Sequence, residues 1–266
     1  MVRTQVWMDT IVTIHVVRPG DGASDAIERS FGWFRQIEAC CTRFDPQSEL
    51  MQLTAHAGSP VQASAILFEA VRMALLVAEE TGGAFDPTAG RAPATWRDVE
   101  LDVAQRTIRL LRPVSLDLGA VAKGLAIDTA ARELHAFTDF GIDAGGDLYL
   151  GGCNPHGAPW SVGIRHPRLH QEQIAVLSVT NQAVCTSGDY ERGGHILDPR
   201  TGAPADAVAS ATVVAPTAML ADALATAAFV LGPAEGIALL DRLGVDGLIV
   251  TPQLERYATR GLSHAS

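Results

Sequence analysis

The chain has 266 residues, 47% of them hydrophobic and 19% charged, which are the proportions of a folded protein with a substantial core and exclude a disordered one. Its formal net charge of −10, with no Lys/Arg-rich run interleaved with aromatics, argues against nucleic acid as a partner. No stretch reaches the roughly 20 consecutive apolar residues of a membrane span, and no basic-then-apolar leader opens the chain. It therefore reads as cytoplasmic as given, and as periplasmic if a leader has been removed.

Trp7 to Val17 alternates in the manner of a strand. Ser24 is placed to cap a helix whose Ile27, Phe31, Phe34, Ile37 and Cys41 fall on one stripe, and CTRFDPQSEL breaks it. Ser64 is placed to cap the next helix, which runs through Glu80 and ends at Gly82–Gly83. Short β-like runs surround Arg106, and Val114 to Leu118 leads into a helix from about Ala120 to Phe137. A β-rich stretch follows (GIDAGGDLYLGG, WSVGIRHP, IAVLSVTNQAVCTSG), then a strand VASATVVA, a helix LADALATAAFVLG, a second C-terminal helix and a strand GLIVT.

Strands and helices are interspersed without a strict βαβ rhythm, and several strand pairs are hairpin-close. That pattern predicts an α+β fold with largely antiparallel sheets and packed helices, not a doubly wound parallel sheet. No low-complexity linker divides residues 1–266, so the chain reads as one domain, or as two intimately packed halves. An echo between GGAFDPTAG (82–90) and GGHILDPRTG (193–202) fits the second form. Cys40, Cys41, Cys153 and Cys185 lack metal-ligand spacing and read as small buried hydrophobes.

Four places offer chemistry. Asp222 and Thr226 are four apart in a helical stretch, hence on one face, and give two hard oxygen ligands of the kind Mg²⁺ takes. The same pair is also explained by an Asp favourable near a helix start and a Thr bonded to the preceding turn. SLDLGAVAKGLAID runs from strand into helix, where free N–H groups and Lys123 favour phosphate, although the order of Gly and Lys is not that of a P-loop. GIDAGGDLYLGG is either a glycine-rich hairpin or a point of close ligand approach. His195, before Ile196–Leu197 and an Asp-Pro turn, is either structural or suited to proton transfer. No G-x-S-x-G, HExxH or GxGxxG is present.

Taken in order, MDT (8–10), DPQSEL (45–50), GGAFDPTAG, DLGAVAKGLAID, DAGGDLYLGG, WSVGIRHP, TSGDYER (186–192), HILDPRTGAP and ADALATAAFVLG resemble the ApbE family, the FAD:protein FMN transferases. The resemblance implies a T-fold-like, ApbE-like α+β architecture. It also implies a Mg²⁺-dependent enzyme with FAD as substrate, which moves FMN onto a threonine hydroxyl of an acceptor protein and releases AMP. Carried over residue by residue, the metal site falls on the side chains of Asp222 and Thr226 and the backbone carbonyl of Ala120. FAD contacts fall on Met8, Ala84, Phe85, Asp86, Asp117, Lys123, His195 and Ile196. Mg²⁺ and Lys123 would neutralise the pyrophosphate, and His195 is the candidate general base, with Asp86 the fallback. Met8 and Phe44 would wall the flavin ring.

Three departures from the family's common pattern touch the flavin's surroundings: Asp9 where many members have Gly, Phe44 where many have Tyr, and Thr54 where many have Asn. DPRTGAP resembles the family's acceptor motif, Asp-x-x-Ser/Thr-Gly-Ala-Thr, but Pro204 stands where the modified Thr would, which excludes self-flavinylation there. Two other readings accompany the transferase: a Mg²⁺-dependent FAD pyrophosphatase giving FMN and AMP, and a non-catalytic flavin-binding module.

Overall fold

Strand β1 (Val2–Trp7) turns back at Met8–Asp9 into β2 (Thr10–Val16), with Trp7 opposite Thr10. The alternation from Trp7 to Val17 therefore covers one arm of a hairpin and its turn, not a single strand. Both turn residues have positive φ, 53° and 57°, the mirror-image turn that matches strand twist. A computed structural model of the chain describes residues 1–88, 94–169, 171–192 and 196–262, with the main chain alone at 191 and 192.

Helix α1 (Ala23–Cys41) buries the expected stripe of Ile27, Phe31, Phe34, Ile37 and Cys41. Its N-cap is Gly22 with φ 79°, not Ser24, which lies inside the first turn. A short helix α2 (Glu49–Ala55) and strand β3 (Val61–Gln62) follow. Ser64 caps α3 (Ala65–Glu80) as expected, accepting a bond from the Leu67 N–H. The hairpin around Arg106 consists of β4 (Val99–Asp102) and β5 (Thr107–Leu110).

Helix α4 (Gly119–Glu133) leads to the hairpin of β6 (Phe140–Ala144) and β7 (Asp147–Gly151). Next come β8 (Trp160–Arg165), β9 (Gln173–Val179), β10 (Gln182–Gly188) and the single turn α5 (Asp189–Arg192). Strand β11 (Ser210–Ala215) precedes α6 (Ala218–Leu243), and β12 (Asp246–Val250) and β13 (Arg256–Ala258) close the fold. The two C-terminal helices expected from sequence are successive parts of α6, separated by a kink at Gly232 (φ 82°, ψ 177°) and Pro233.

Eight antiparallel strands form one sheet in the order β1-β2-β6-β7-β10-β11-β12-β13. One face carries the main core, into which α1, α3, α4 and α6 bury their apolar sides. On the other face β8 and β9 lay Val162, Ile164, Leu177 and Val179 over Leu150, Val184, Val214 and Val250. Helix α6 is the one described helix long and apolar enough to cross a bilayer by length and composition, with a mean hydropathy of 1.7. Its buried residues instead pack against α4, β10, β11 and β12.

The junction of α4 with the start of α6 positions the site. A Cβ at Gly124 would overlap the main chain at Met219, so only glycine lets the two helices approach this closely. The orphan N–H groups of residues 218–220 at the start of α6 are then satisfied, and the regular helix ladder begins at Ala221. The Asp128 carboxylate on α4 accepts from Ala218 N (2.7 Å) and Met219 N (3.0 Å), Thr217 Oγ1 accepts from Leu220 N, and the Thr217 carbonyl accepts from Ala221 N.

Candidate active site

Motifs far apart in sequence converge at one end of the large sheet. The β6–β7 turn needs glycines at 145 and 146, whose φ values are 67° and 96°. A Cβ on Gly145 would overlap Thr10 Oγ1, so the MDT turn and the AGGD turn pack directly together. Asp147, the residue after the glycines, is 3% exposed, and its Oδ1 accepts from Thr186 N on β10 at 3.2 Å.

Lys123, one turn into α4, places its Nζ on Asp147 Oδ2 and stands 4.0 Å from Asp222 Oδ2 on α6. Burial opposes a charge on Lys123, but the carboxylates of Asp222 and Asp147 together outweigh it and raise its pKa, so the ammonium stays protonated. Asp222 is 6% exposed. Beside it, Thr226 Oγ1 donates to the Asp222 carbonyl at 3.3 Å and lies 3.2 Å from Ser187 Oγ. Burial, followed by the same two carboxylates, holds the Cys185 thiol well above its usual range, leaving a neutral wall beneath the charged groups.

A second group of loops adjoins the N-terminus of α4. Asp117 N donates to the Pro87 carbonyl at 2.6 Å, which ties the GGAFDP loop to the strand-like segment before α4. The Asp117 carboxylate accepts from Gly119 N at 3.0 Å and pairs with Arg43 at 3.0 Å. Arg43 in turn lies over the Phe44 ring, which is 79% exposed. Ala84 and Phe85 are buried, and Phe85 packs in the main core. Asp86 Oδ1 accepts from Thr88 N and Thr88 Oγ1, and its Oδ2 accepts from Trp96 N.

The two Asp-Pro turns share this geometry. Asp198 Oδ1 accepts from Arg200 N at 2.9 Å, as Asp86 Oδ1 does from Thr88 N at 2.8 Å. A Cβ at Gly83 would sit 4.0 Å from Arg200 Cγ, so the turns are neighbours. Ile196 is half-buried and closes the second turn by accepting from Ala205 N. His195 lies outside the described residues.

Of the residues singled out from sequence, Lys123, Asp222 and Thr226 form one cluster, with Ala120 a turn before Lys123 on the same helix. Met8 lies in the turn that adjoins the AGGD turn, where its N–H donates to Glu38 Oε1 at 3.1 Å. Asp117 and the Ala84–Phe85–Asp86 run border the α4 N-terminus. Sequence reasoning missed Asp147, Ser187 and Arg43. Each stands in or next to a quoted motif, but only the fold shows that Asp147 meets a lysine 24 positions earlier.

Among the described residues no three His, Cys, Asp or Glu side chains cluster as a metal site. Besides the Lys123–Asp147 pair, the cluster offers the Asp222 carboxylate and two hydroxyls, hard oxygen donors in the small number that suits a divalent cation which keeps waters or phosphate oxygens. A cation held by these donors, together with the Lys123 ammonium, would supply the positive charge that a polyphosphate needs.

The chain is similar to known proteins over nearly its whole length. The sequence profile of the ApbE family matches residues 8–249. A protein of Treponema pallidum (strain Nichols) named FAD:protein FMN transferase is 33% identical over 303 residues, covering 94% of this chain and 84% of its own length. A Haemophilus influenzae protein of the same name is 27% identical, covering 86% of this chain and 81% of its own. The crystal structure of the ApbE protein from Thermotoga maritima superposes with a TM-score of 0.88 at 27% identity, over 98% of this chain and 97% of that one. The expected ApbE-like α+β fold is thus the observed one, and the chain belongs to the ApbE family.

Proposed function

We propose that this chain transfers FMN from FAD to a threonine hydroxyl of an acceptor protein, with Mg²⁺, and releases AMP. The observation that carries the reading is the charged Lys123, seated between Asp147 and Asp222 beside the hydroxyls of Thr226 and Ser187. Relatives named FAD:protein FMN transferase supply the reaction class.

The donor set fits Mg²⁺. A buried carboxylate beside a pair of hydroxyls gives the hard oxygen donors that this cation takes, in the small number that leaves room for phosphate oxygens. Asp222, Thr226 and the carbonyl of Ala120 would hold the metal, which when bound supplies charge neutralisation at the pyrophosphate. Lys123 contributes a second, permanent positive charge and steadies the negative charge that grows on the leaving AMP. The positive end of the α4 dipole favours the same phosphates.

The acceptor hydroxyl must lose a proton as it attacks. His195 is the base in this reading, since an imidazole titrates near neutral pH. Asp86 is better suited to shaping its loop, because three donors already engage its two oxygens. Met8, Ala84, Phe85, Asp117 and Ile196 would border the dinucleotide, the buried Ala84 and Phe85 through their main chain. The acceptor is a protein carrying Asp-x-x-Ser/Thr-Gly-Ala-Thr.

Incubation with FAD, Mg²⁺ and an acceptor domain bearing that motif tests the reading. Flavin covalently attached to the acceptor threonine, with one AMP per attachment, is the expected result. Free FMN plus AMP would make the chain a pyrophosphatase, and unchanged FAD a flavin-holding module.

A further inference from the structure

Two carboxylates face one ammonium at the centre of the site, and the ammonium does not share itself equally. Lys123 rests on Asp147 and stands 4.0 Å from Asp222. Asp147 is held in turn by the β6–β7 glycine turn and by Thr186 N, on two adjoining strands of the large sheet. Its carboxylate is therefore fixed by β-structure, whereas Asp222 rides on α6. A lysine has a long, rotatable stem and would move to whichever buried carboxylate is nearest.

We propose that Asp147 is a positioning residue that holds the Lys123 ammonium against β7, so that a divalent cation need not displace it from the Asp222 carboxylate. This rests on the metal reading given above. The physical need is plain: an ammonium seated on Asp222 would have to be displaced before a cation could bind there, and both charges would then compete for one carboxylate. With Asp147 present, lysine and metal each have a carboxylate, and both positive charges remain for a pyrophosphate. Partners one shell out from a metal ligand typically change metal affinity by about 10–100-fold.

The test uses Mg²⁺ alone, without FAD, titrated calorimetrically into the full chain, together with a crystal structure of the metal-free variant. Asp147→Asn should weaken Mg²⁺ binding by about tenfold or more, and Lys123 Nζ should move onto Asp222. Asp147→Glu keeps the charge and can still reach Lys123, so its affinity should stay within about threefold of the parent. Removing only the negative charge of Asp147, with no movement of Lys123, would weaken Mg²⁺ binding yet leave Nζ in place, and that crystal would overturn the proposal. Unchanged Mg²⁺ affinity in Asp147→Asn would overturn it too. If Asp147→Asn does not fold, Asp147→Ser carries the same two readouts with a smaller side chain. Absence of Mg²⁺ binding in the parent chain is a separate result, which sinks the metal reading itself.

Discussion

A carboxylate as deep as that of Asp222 is stable when a cation shares its site, and Lys123 at 4.0 Å is the described cation. Removing the carboxylate leaves Lys123 its closer partner Asp147, so the fold should tolerate the loss. Asp222→Ala is expected to lower FMN transfer by at least about 100-fold and to abolish its response to Mg²⁺, with a melting temperature within a few degrees of the parent. Transfer at the parental rate would remove Asp222 from the metal site. A second residue-scale cost sits at Asp9, whose φ of 57° is the left-handed conformation that glycine adopts most cheaply. Asp9→Gly should stabilise the chain by about 0.5–1 kcal/mol, read as a higher denaturation midpoint; a lower midpoint would mean that the aspartate side chain compensates the strain.

At the scale of elements, the junction between α4 and α6 decides where Lys123 and Asp222 stand relative to one another. Asp128 makes that junction, and burial pushes its pKa up to about 6, against the pull of the Met219 and Ala218 N–H groups and of Arg132. Its ordinary value is 3.8, so the folded value is the raised one. Such a group adds stability below about pH 4, where it is protonated in both states, and that contribution is lost as the pH rises through about 6. The linkage is worth on the order of 2–3 kcal/mol. Asp128→Asn, which can still accept from an α6 N–H, should flatten the stability profile between pH 4 and 7 in denaturant titrations; parallel profiles for parent and variant would contradict this. The sequence displayed Asp128 as the end of a quoted motif without revealing its partner, because a capping bond to residues 90 positions later is tertiary. Local signals fared better: the α1 stripe, the Ser64 cap and the break near Gly232 are all governed by neighbours within a turn or two. Ser24 failed as a cap because Gly22, with φ 79°, starts the helix two residues earlier.

For the whole molecule, the α+β class and the antiparallel sheet were legible, since hairpin-close strands leave no room for crossover helices. The eight-strand order was not, because β2–β6, β7–β10 and the return of β12 to β11 depend on pairings across long stretches of chain. The same topology explains the uneven legibility of the site. Asp222 and Thr226 share one helical face and can be paired from spacing alone. Asp147, Lys123 and Ser187 come from β7, α4 and β10, which only the assembled sheet brings together. All these elements converge on one claim, that a divalent cation sits between the Asp222–Thr226 face of α6 and the first turn of α4. A crystal of the full chain soaked with FAD and Mn²⁺ in place of Mg²⁺ tests it most directly. An anomalous peak ligated by Asp222, Thr226 and the Ala120 carbonyl is expected, with the FAD pyrophosphate next to it and to Lys123. Bound FAD with no peak there, or with the metal on other residues, would contradict it.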